Sequence, residues 1–325
     1  MENTVRTGIA VAGTVIVDKI KEISAYPEAG QLTQIRGIQN AIGGCVPNVA
    51  LDLKKIVPEL TIRAIGTIGD DMEGSFVKDT LSEGGLDISG LIVKAGDSTS
   101  FTDVMSIPGG QRTFFTYPGA SAGFGVDDVD FDAVNAKIFH LGYFLLLQKV
   151  DDGDGLKILQ KALEYGMETS IDLVSENSDR YSLVLPCLPY TDYLIINELE
   201  AGKLAGMEPC KENLESIARK LKELGVRKRV IIHMPDRSVC MSDAGYSVLG
   251  SYILPEGYIQ GTTGAGDAFC AGALVGLYNG WDDVTVMEFA SACAVIALGT
   301  PDATSGMQQA DKIREFCAAF ERREV

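Results

Sequence analysis

The sequence is poor in the residues and patterns that several functional classes require. Its 325 residues include two histidines, one tryptophan and seven scattered cysteines, and no C-x-x-C pair occurs. This excludes zinc ribbons and thioredoxin-type redox motifs, and the odd cysteine count argues against a disulfide framework. We therefore expect buried, reduced thiols. His140 and His233 have no second ligand near them in the sequence, so neither predicts a metal site.

Basic residues and long apolar runs are also scarce. There are 28 lysines and arginines against 45 aspartates and glutamates, which gives a net charge of −17. Non-specific binding to nucleic acid needs cations that displace phosphate counterions, so no nucleic-acid partner is expected. Without an apolar run of about 18 residues, no membrane span is expected. The first residues lack the basic and apolar pattern of a signal peptide, so we expect a cytoplasmic protein.

The segments that are present alternate between apolar β-type runs and longer amphipathic stretches. Several runs are apolar on both faces, as in residues 193–196, which suits a parallel sheet covered on both sides. This order predicts an α/β fold, with a doubly wound, mostly parallel sheet and helices on both faces. The predicted strands are residues 8–13, 61–67, 137–141, 168–173, 193–196 and 229–234. The predicted helices are residues 46–56, 71–83, 154–164, 198–204, 211–224, 266–278, 284–298 and 312–322.

Two regions break this rhythm because their apolar residues recur with period 2. One is residues 31–37; the other is residues 98–106, which turn at Pro108-Gly109-Gly110 and return as residues 111–117. The second pattern is typical of a β-hairpin. Alternation implies one wet face and one covered face, so these strands predict a small antiparallel β flap beside the main sheet.

The absence of a linker or internal repeat predicts one domain over residues 1–325. The flap, or lid, is then an insertion at about residues 14–38 and 98–118. Apolar flap residues that we expect to be exposed, such as Phe101, Val104 and Phe114, predict a homodimer in which two lids pair.

A glycine-rich segment at residues 261–272 precedes a predicted helix. The small residues 264–266 allow a ligand to approach the backbone closely, and amides at a helix N-terminus favour negative charge. This predicts an anion hole for a phosphoryl group, with Asp267 beside it. The same helix terminus stabilises the Asp267 anion, which predicts a weak base. The alternative is a plain glycine turn in which Asp267 only caps the helix.

Residues 262–267 resemble the C-terminal signature D-T-x-G-A-G-D of the ribokinase-like, or pfkB-type, carbohydrate and nucleoside kinases. The resemblance covers essentially the whole chain in order. It implies that Asp267 is the catalytic base and that the amides of Gly264, Ala265 and Gly266 form the anion hole, with Thr263 on the nucleotide side. The family's first aspartate, which often helps hold a monovalent cation, is replaced here by glycine at position 261, which argues against potassium activation.

The acceptor side of the family has counterparts near the N-terminus. The segment from Gly43 to Ala50 resembles the signature G-G-x-x-x-N-x-A, which implies that Gly43, Gly44 and Asn48 bind the acceptor together with Asp18. An amide side chain both donates to and accepts from sugar hydroxyls. Arg112 follows the flap turn, where the family often has an arginine that reaches substrate or phosphate. A solvated charge on an edge strand is the alternative for Arg112.

The nucleotide side matches the family less closely. Asn197 and Glu200 fit its N-x-x-E motif after the strand at residues 193–196, which implies that Asn197 touches phosphate and that Glu200 orders water on Mg²⁺. A helix cap with a solvated carboxylate is the alternative. Ser291 and His233 are implied at the nucleotide, although residues 233–238 depart from the family's pattern.

Taken together, these motifs predict an ATP-dependent kinase that uses Mg²⁺ and transfers the γ-phosphoryl group to a hydroxymethyl group of a small sugar. Two alternatives stay open: a nucleoside kinase of the same fold, and a sugar- or nucleotide-binding paralogue without turnover. No dense cluster of lysine and arginine lies near the flap, which favours an uncharged acceptor.

Overall fold

The computed structural model describes residues 6–107 and 112–325, which form two β-sheets and the helices packed on them. The predicted turn at Pro108-Gly109-Gly110 lies outside the described residues. The strands are β1 (Ile9–Gly13), β2 (Ile16–Ile23), β3 (Ile35–Gly43), β4 (Ile62–Gly69), β5 (Asp87–Lys94), β6 (Phe101–Ser106), β7 (Arg112–Tyr117), β8 (Ile138–Phe144), β9 (Glu168–Leu173), β10 (Tyr193–Asn197), β11 (Arg229–Met234), β12 (Arg237–Ser242) and β13 (Gly245–Gly250). The helices are α1 (Cys45–Ile56), α2 (Met72–Glu83), α3 (Gly155–Glu164), α4 (Glu198–Ala205), α5 (Leu214–Glu223), α6 (Ala265–Tyr278), α7 (Asp283–Leu298) and α8 (Ala310–Cys317).

The main sheet has the order β13-β12-β11-β10-β9-β8-β1-β4-β5. It is parallel from β11 to β5, and β12 and β13 add an antiparallel edge. The six predicted strands all belong to it. Strands β5 and β13 were not predicted, because they are only partly buried and lack a continuous apolar run. Strand β12 was missed although its four middle residues are buried, because polar residues interrupt its apolar sequence. The doubly wound, mostly parallel sheet of the sequence prediction is confirmed.

Alternating side chains of the central strands enter two hydrophobic cores, one on each face of the main sheet. Ile9 and Val11 join the core that contains α1, α2, α6, α7 and α8. Ala10 and Ala12 face the core under α3, α4 and α5. In the described part of the chain, no helix is both long enough and apolar enough to pass through a membrane.

Most predicted helices are present, and the largest error concerns the last one. The predicted helix at residues 312–322 runs instead over Ala310–Cys317. Arg322 forms a β-bridge with Tyr252, and its guanidinium lies 3.8 Å from the centre of that ring. This tertiary contact needs an extended chain and overrides the helical pattern. The predicted helix at residues 211–224 begins at Leu214, after a short 3₁₀ turn.

The small sheet has the order β3-β2-β6-β7 and stands apart from the main one. The pairs β2–β3 and β6–β7 are antiparallel, as predicted for the flap, whereas the central pair β2–β6 is parallel. The predicted strand at residues 31–37 is wrong in extent. Strand β3 spans Ile35–Gly43, because β2 pairs with it as far as the contact between Ile16 and Gly43.

Strand register assigns each flap residue to one of two faces. Asp18 pairs with Thr102 and Thr102 with Thr116, which places Arg112 and Phe114 on the face of Asp18. We call this the inner face. The outer face carries Ile38, Phe115 and Tyr117, which are 71%, 59% and 47% exposed. The expectation that Val104 is an exposed contact is wrong, since its side chain is 5% exposed.

Candidate active site

Helix α6 begins at the glycine-rich segment and carries Asp267 in its first turn. Its N-cap, Gly264, has a φ of 79°, which lies in the left-handed region that favours glycine. A Cβ at this position would lie 2.5 Å from the Cα of Ala303, so no other residue fits without displacing the backbone. The chain therefore enters α6 through a tight turn against residues 300–303, and Asp267 lies in the first turn of the helix.

The amides at this terminus only partly match the prediction. The N–H groups of Gly264, Gly266 and Asp267 have no acceptor among the described residues. The N–H of Ala265, which was also predicted to bind an anion, donates to the carbonyl of Thr262 at 3.3 Å. Unpaired N–H groups at the start of a 14-residue helix attract an anion.

Asp267 is 7% exposed, and its carboxylate accepts hydrogen bonds from two donors, Asn48 and Tyr143. Asn48 Nδ2 donates to Oδ2 at 2.8 Å, and the Tyr143 hydroxyl lies 2.9 and 3.0 Å from the two oxygens. Burial and the negative charge of Asp172 raise the pKa of Asp267 to about 7, against the hydrogen bonds from Asn48 and Tyr143. This differs from the expectation of a weak base, because desolvation outweighs the helix terminus and raises the pKa of the carboxyl group.

The predicted acceptor residues lie around the start of α1. Asn48 is in its first turn, one turn after Gly44, whose carbonyl accepts the Asn48 N–H at 3.1 Å. The Oδ1 of Asn48 is buried and has no partner among the described residues, so it is free to accept from a bound hydroxyl. Gly43, at the end of β3, lies against the Asp18 carboxylate. Burial raises the pKa of Asp18 to about 6.

Arg112, the fifth predicted acceptor residue, is not brought to these groups. Its side chain is exposed on the edge strand β7 and forms no hydrogen bond or ion pair within the described residues. It does share the inner flap face with Asp18.

Asn197 and Glu200 form a capping box at the start of α4. Asn197 Oδ1 accepts from the Glu200 N–H at 2.9 Å, and Glu200 Oε2 accepts from the Asn197 N–H at 3.1 Å. Ser175 joins both, because its hydroxyl donates to Glu200 Oε1 and accepts from Asn197 Nδ2, each at 2.8 Å. Burial raises the pKa of Glu200 to about 7. The Asn197 side chain therefore caps helix α4, which was the alternative to its predicted contact with phosphate.

Two adjoining cavities open at the carboxyl ends of β8 to β11, where α/β sheets bind ligands. The smaller, of about 280 Å³, is lined by Tyr143, Asp172, Glu200 and Asp267, among others. The larger, of about 700 Å³, shares Asn197, His233 and Gly266 with it.

Ser291 and Phe269 line the larger cavity, and so does Thr262 in place of the predicted Thr263. The His233 ring lies 4.7 Å from that of Phe269. Its desolvated surroundings lower the pKa of His233 to about 4, so the imidazole is neutral near pH 7. His233 can therefore pack against a ring or form a neutral hydrogen bond, but it offers no charge to a phosphate.

Three residues of the smaller cavity were missed: Tyr143, Asp172 and Ser175. Tyr143 has a φ of 62°, an uncommon backbone conformation for a bulky residue that is typical of functional sites. All three lie at or just beyond the carboxyl ends of predicted strands. That position was the available signal, because it is where ligand-binding residues of such sheets collect.

Comparison with known proteins agrees with this geometry. Residues 6–310 match the pfkB family of carbohydrate kinases. The ribokinase of Arabidopsis thaliana is 24% identical over 305 residues, covering 92% of this chain and 78% of that protein. A 5-dehydro-2-deoxygluconokinase of Clostridium perfringens is 24% identical over 297 residues, covering 88% of this chain and 86% of that protein. A nucleoside kinase of Methanothermobacter thermautotrophicus is 25% identical over 287 residues, covering 88% and 87%.

The fold has the same relatives. The solved structure of Arabidopsis ribokinase complexed with ribose and ATP superposes with a TM-score of 0.84 at 22% identity, covering 96% of this chain and 99% of that one. The resemblance first seen in residues 262–267 is thereby confirmed over nearly the full length. The chain belongs to the pfkB family of carbohydrate kinases, and it is a phosphotransferase with an alcohol group as acceptor.

Proposed function

We propose that this protein transfers the γ-phosphoryl group of ATP to a hydroxymethyl group of a small sugar, with Asp267 as the base. The observation that carries the proposal is the position of the Asp267 carboxylate. It is buried and hydrogen-bonded to Asn48 and Tyr143, and it lies in the first turn of a helix at whose start the amides of Gly264 and Gly266 are free. A base and an anion hole within one helical turn are what a phosphoryl transfer to an alcohol requires.

In the proposed reaction, Asp18 and Asn48 orient the acceptor by hydrogen bonds to its hydroxyls. Asp267 accepts the proton of the acceptor's attacking hydroxyl while the oxygen of that hydroxyl forms a bond to the γ-phosphorus. The bond from that phosphorus to the bridging oxygen breaks, and ADP leaves with the electron pair. The amides of Gly264 and Gly266 stabilise the charge on the transferring group. Since the transition state is loose, much of the rate acceleration comes from holding the attacking hydroxyl in line with the phosphorus–oxygen bond that breaks.

Glu200 fits the predicted Mg²⁺ site. Its carboxylate lines the smaller cavity, and Asn197 and Ser175 hold it in place. Mg²⁺ prefers oxygen ligands and keeps several waters, so one carboxylate that orders metal-bound water suffices. A bound Mg²⁺ would neutralise charge on the ATP phosphates. The larger cavity beside it, with Ser291 and Phe269 on its wall, has room for the nucleoside of ATP.

We further propose that the flap is a lid. Its inner face carries Asp18, Arg112 and Phe114, so closure would cover the acceptor and exclude water.

The outer face exposes Ile38, Phe115 and Tyr117, which favours a homodimer in which two lids pair. Light scattering at micromolar concentration should therefore give twice the chain mass of 34.8 kDa, and Phe115→Glu should shift it to one chain. A wild-type protein of monomeric mass would contradict this pairing.

The direct test of the function is ADP release from ATP and Mg²⁺ with a panel of acceptors. The panel contains ribose, fructose, a ketogluconate, a phosphosugar and a nucleoside, and a reaction without acceptor measures background hydrolysis. We expect at least one uncharged sugar to release ADP well above background. Release with the nucleoside alone would favour the nucleoside-kinase alternative. Release with no acceptor of the panel would favour a binding paralogue over an enzyme.

The pKa of Asp267 predicts how the rate depends on pH. The base acts as the carboxylate, so kcat/KM for the acceptor should rise with pH through about 7 and level off above it. Below that pKa the rate should fall about tenfold per pH unit. Tyr143→Phe removes a hydrogen bond that lowers the pKa, so the same rise should move to higher pH.

The comparison is a pH profile of kcat/KM at saturating ATP for the wild type and Tyr143→Phe. Tyr181→Phe is a matched control, because this buried tyrosine lies outside both cavities and bonds only to the backbone of Glu176. A wild-type profile that stays flat between pH 5.5 and about 8 would contradict Asp267 as the titrating base.

A further inference from the structure

Behind Asp267 lies a buried cluster of soft and hard metal ligands from three separate elements. Cys45 opens α1, His140 lies within β8, and Asp172 lies within β9. His140 Nε2 is 3.6 Å from Cys45 Sγ and 3.3 Å from Asp172 Oδ2, and the Cys45 and Asp172 atoms are 3.9 Å apart. The sequence alone did not predict a metal site at His140, because Cys45 and Asp172 are distant from it in the chain.

These separations fit one tetrahedral ion. Zinc binds sulfur at about 2.3 Å and histidine nitrogen or carboxylate oxygen at about 2.0–2.2 Å. At tetrahedral angles, those bond lengths place neighbouring ligand atoms roughly 3.3–3.7 Å apart. Two of the three measured distances lie in this range, and the third needs a shift of a few tenths of an ångström. Cys270 Sγ, on α6, lies 3.7 Å from His140 Nε2, but it is not part of the group whose ligand atoms all lie within 4.8 Å of one another. The fourth position is therefore left to a water, as in zinc sites with three protein ligands.

Two of the ligands are oriented from behind, as metal ligands commonly are. His140 Nδ1 lies 3.0 Å from Ser170 Oγ, so with a metal bound an Nδ1–H can be donated to that hydroxyl, which leaves Nε2, now 3.3 Å from Asp172 Oδ2, to the ion. Asp172 Oδ1 accepts the Tyr143 N–H at 2.5 Å, which turns Oδ2 toward the cluster. A Cβ on Gly142 would lie 1.9 Å from Cys45 Sγ, so glycine at this position makes the room for the sulfur.

One edge of the cluster borders the smaller cavity. Cys45 and His140 are fully buried, whereas Asp172 and Cys270 line the smaller cavity. An ion can therefore enter from the active site. Within residues 6–107 and 112–325, this is the group of cysteine, histidine and acidic side chains whose ligand atoms all lie within 4.8 Å of one another.

We propose that Cys45 Sγ, His140 Nε2 and Asp172 Oδ2 bind one zinc ion, with a water from the smaller cavity at the fourth position. Binding releases the proton of the Cys45 thiol to water and leaves His140 neutral with its proton on Nδ1. The ion ties α1, which carries Asn48, to the central strands β8 and β9. Its three ligands do not include Glu200, the proposed Mg²⁺ residue of the same cavity, and the proposal does not depend on the proposed kinase reaction.

The test uses the purified full chain and Zn²⁺ alone, without nucleotide or acceptor. Competition with a chromophoric chelator should give one zinc per chain and a higher melting temperature than that of the metal-free protein. Cys45→Ser and His140→Asn should each weaken binding at least about 10–100-fold, the loss seen when even an outer partner of a ligand is removed. The controls Cys210→Ser, at a partly exposed cysteine, and Glu200→Gln should bind zinc as the wild type does.

Two results would overturn the proposal. One is a wild-type chain that binds no zinc at micromolar concentration, and the other is a Cys45→Ser variant that binds zinc as tightly as the wild type. Loss of binding in Glu200→Gln would place the ion in the magnesium position and would also refute it. Binding of Co²⁺ to the wild-type protein provides a test that does not depend on the folding of any variant. A tetrahedral site with a thiolate should show a sulfur-to-cobalt charge-transfer band, and its absence would exclude Cys45 as a ligand.

Discussion

Asp267→Asn is expected to lower kcat by about 10²–10⁴-fold, the usual contribution of a positioned general base. The amide has nearly the shape of the carboxylate and can still meet Tyr143 and Asn48, so the cavity should keep its form. What it loses is the ability to accept the proton of the attacking hydroxyl. The ATP affinity should stay close to that of the wild type, because the nucleotide is expected on the other side of the anion hole, in the larger cavity.

The measurement pairs steady-state kinetics with direct ATP binding for the wild type and Asp267→Asn. Asp283→Asn is the matched control, since Asp283 is also a buried aspartate in the first turn of a helix but pairs with Arg229 far from both cavities. It should keep kcat and lose only stability. Turnover of Asp267→Asn within tenfold of the wild type would refute the base assignment.

The sequence was most informative about Asp267 because the turn, the amides and the carboxylate are adjacent in the chain. Residues 262–267 contain the whole arrangement, so a local pattern suffices to predict it. The contact of Asn48 with Asp267 joins residues 219 apart, and it was accessible only through a second local motif. Tyr143 has no such motif. Its position depends on a left-handed φ at the end of β8, and a tyrosine in the sequence does not predict that backbone conformation.

A continuous apolar sequence explains which strands could be predicted. Strand β10 is buried on both faces except at its last residue and reads as one apolar run. Strand β3 is mostly exposed, so its alternation gave a strand but misplaced its ends. The Cys45, His140 and Asp172 cluster lies beyond local patterns altogether. It exists because β8 and β9 pair with His140 opposite Ser170, which brings Asp172 two residues further along the same face.

The turn before α6 gives the second large effect. Gly264→Ala should destabilise the fold by about 1–3 kcal/mol, because alanine at a left-handed φ is strained and its Cβ meets the backbone of Ala303. It should also lower kcat at least tenfold. The strain can be relieved only by moving the turn, and the amides of Gly264 and Gly266 move with it. A donor displaced from a transferring phosphoryl group costs about as much as a lost anion-hole donor, roughly 10²-fold.

The control variant Gly206→Ala separates the effect of backbone strain from that of the collision with Ala303. Gly206 ends α4 with a φ of 64°, and a Cβ there would meet nothing within 4 Å. The control thus carries the backbone strain without the collision, and it lies away from the anion hole. Denaturant unfolding should show Gly264→Ala to be less stable than Gly206→Ala, and only Gly264→Ala should lose kcat. If Gly264→Ala keeps kcat within twofold while losing stability, the turn is structural and the amides are not the anion hole. Equal losses of kcat in both variants would trace the defect to global stability.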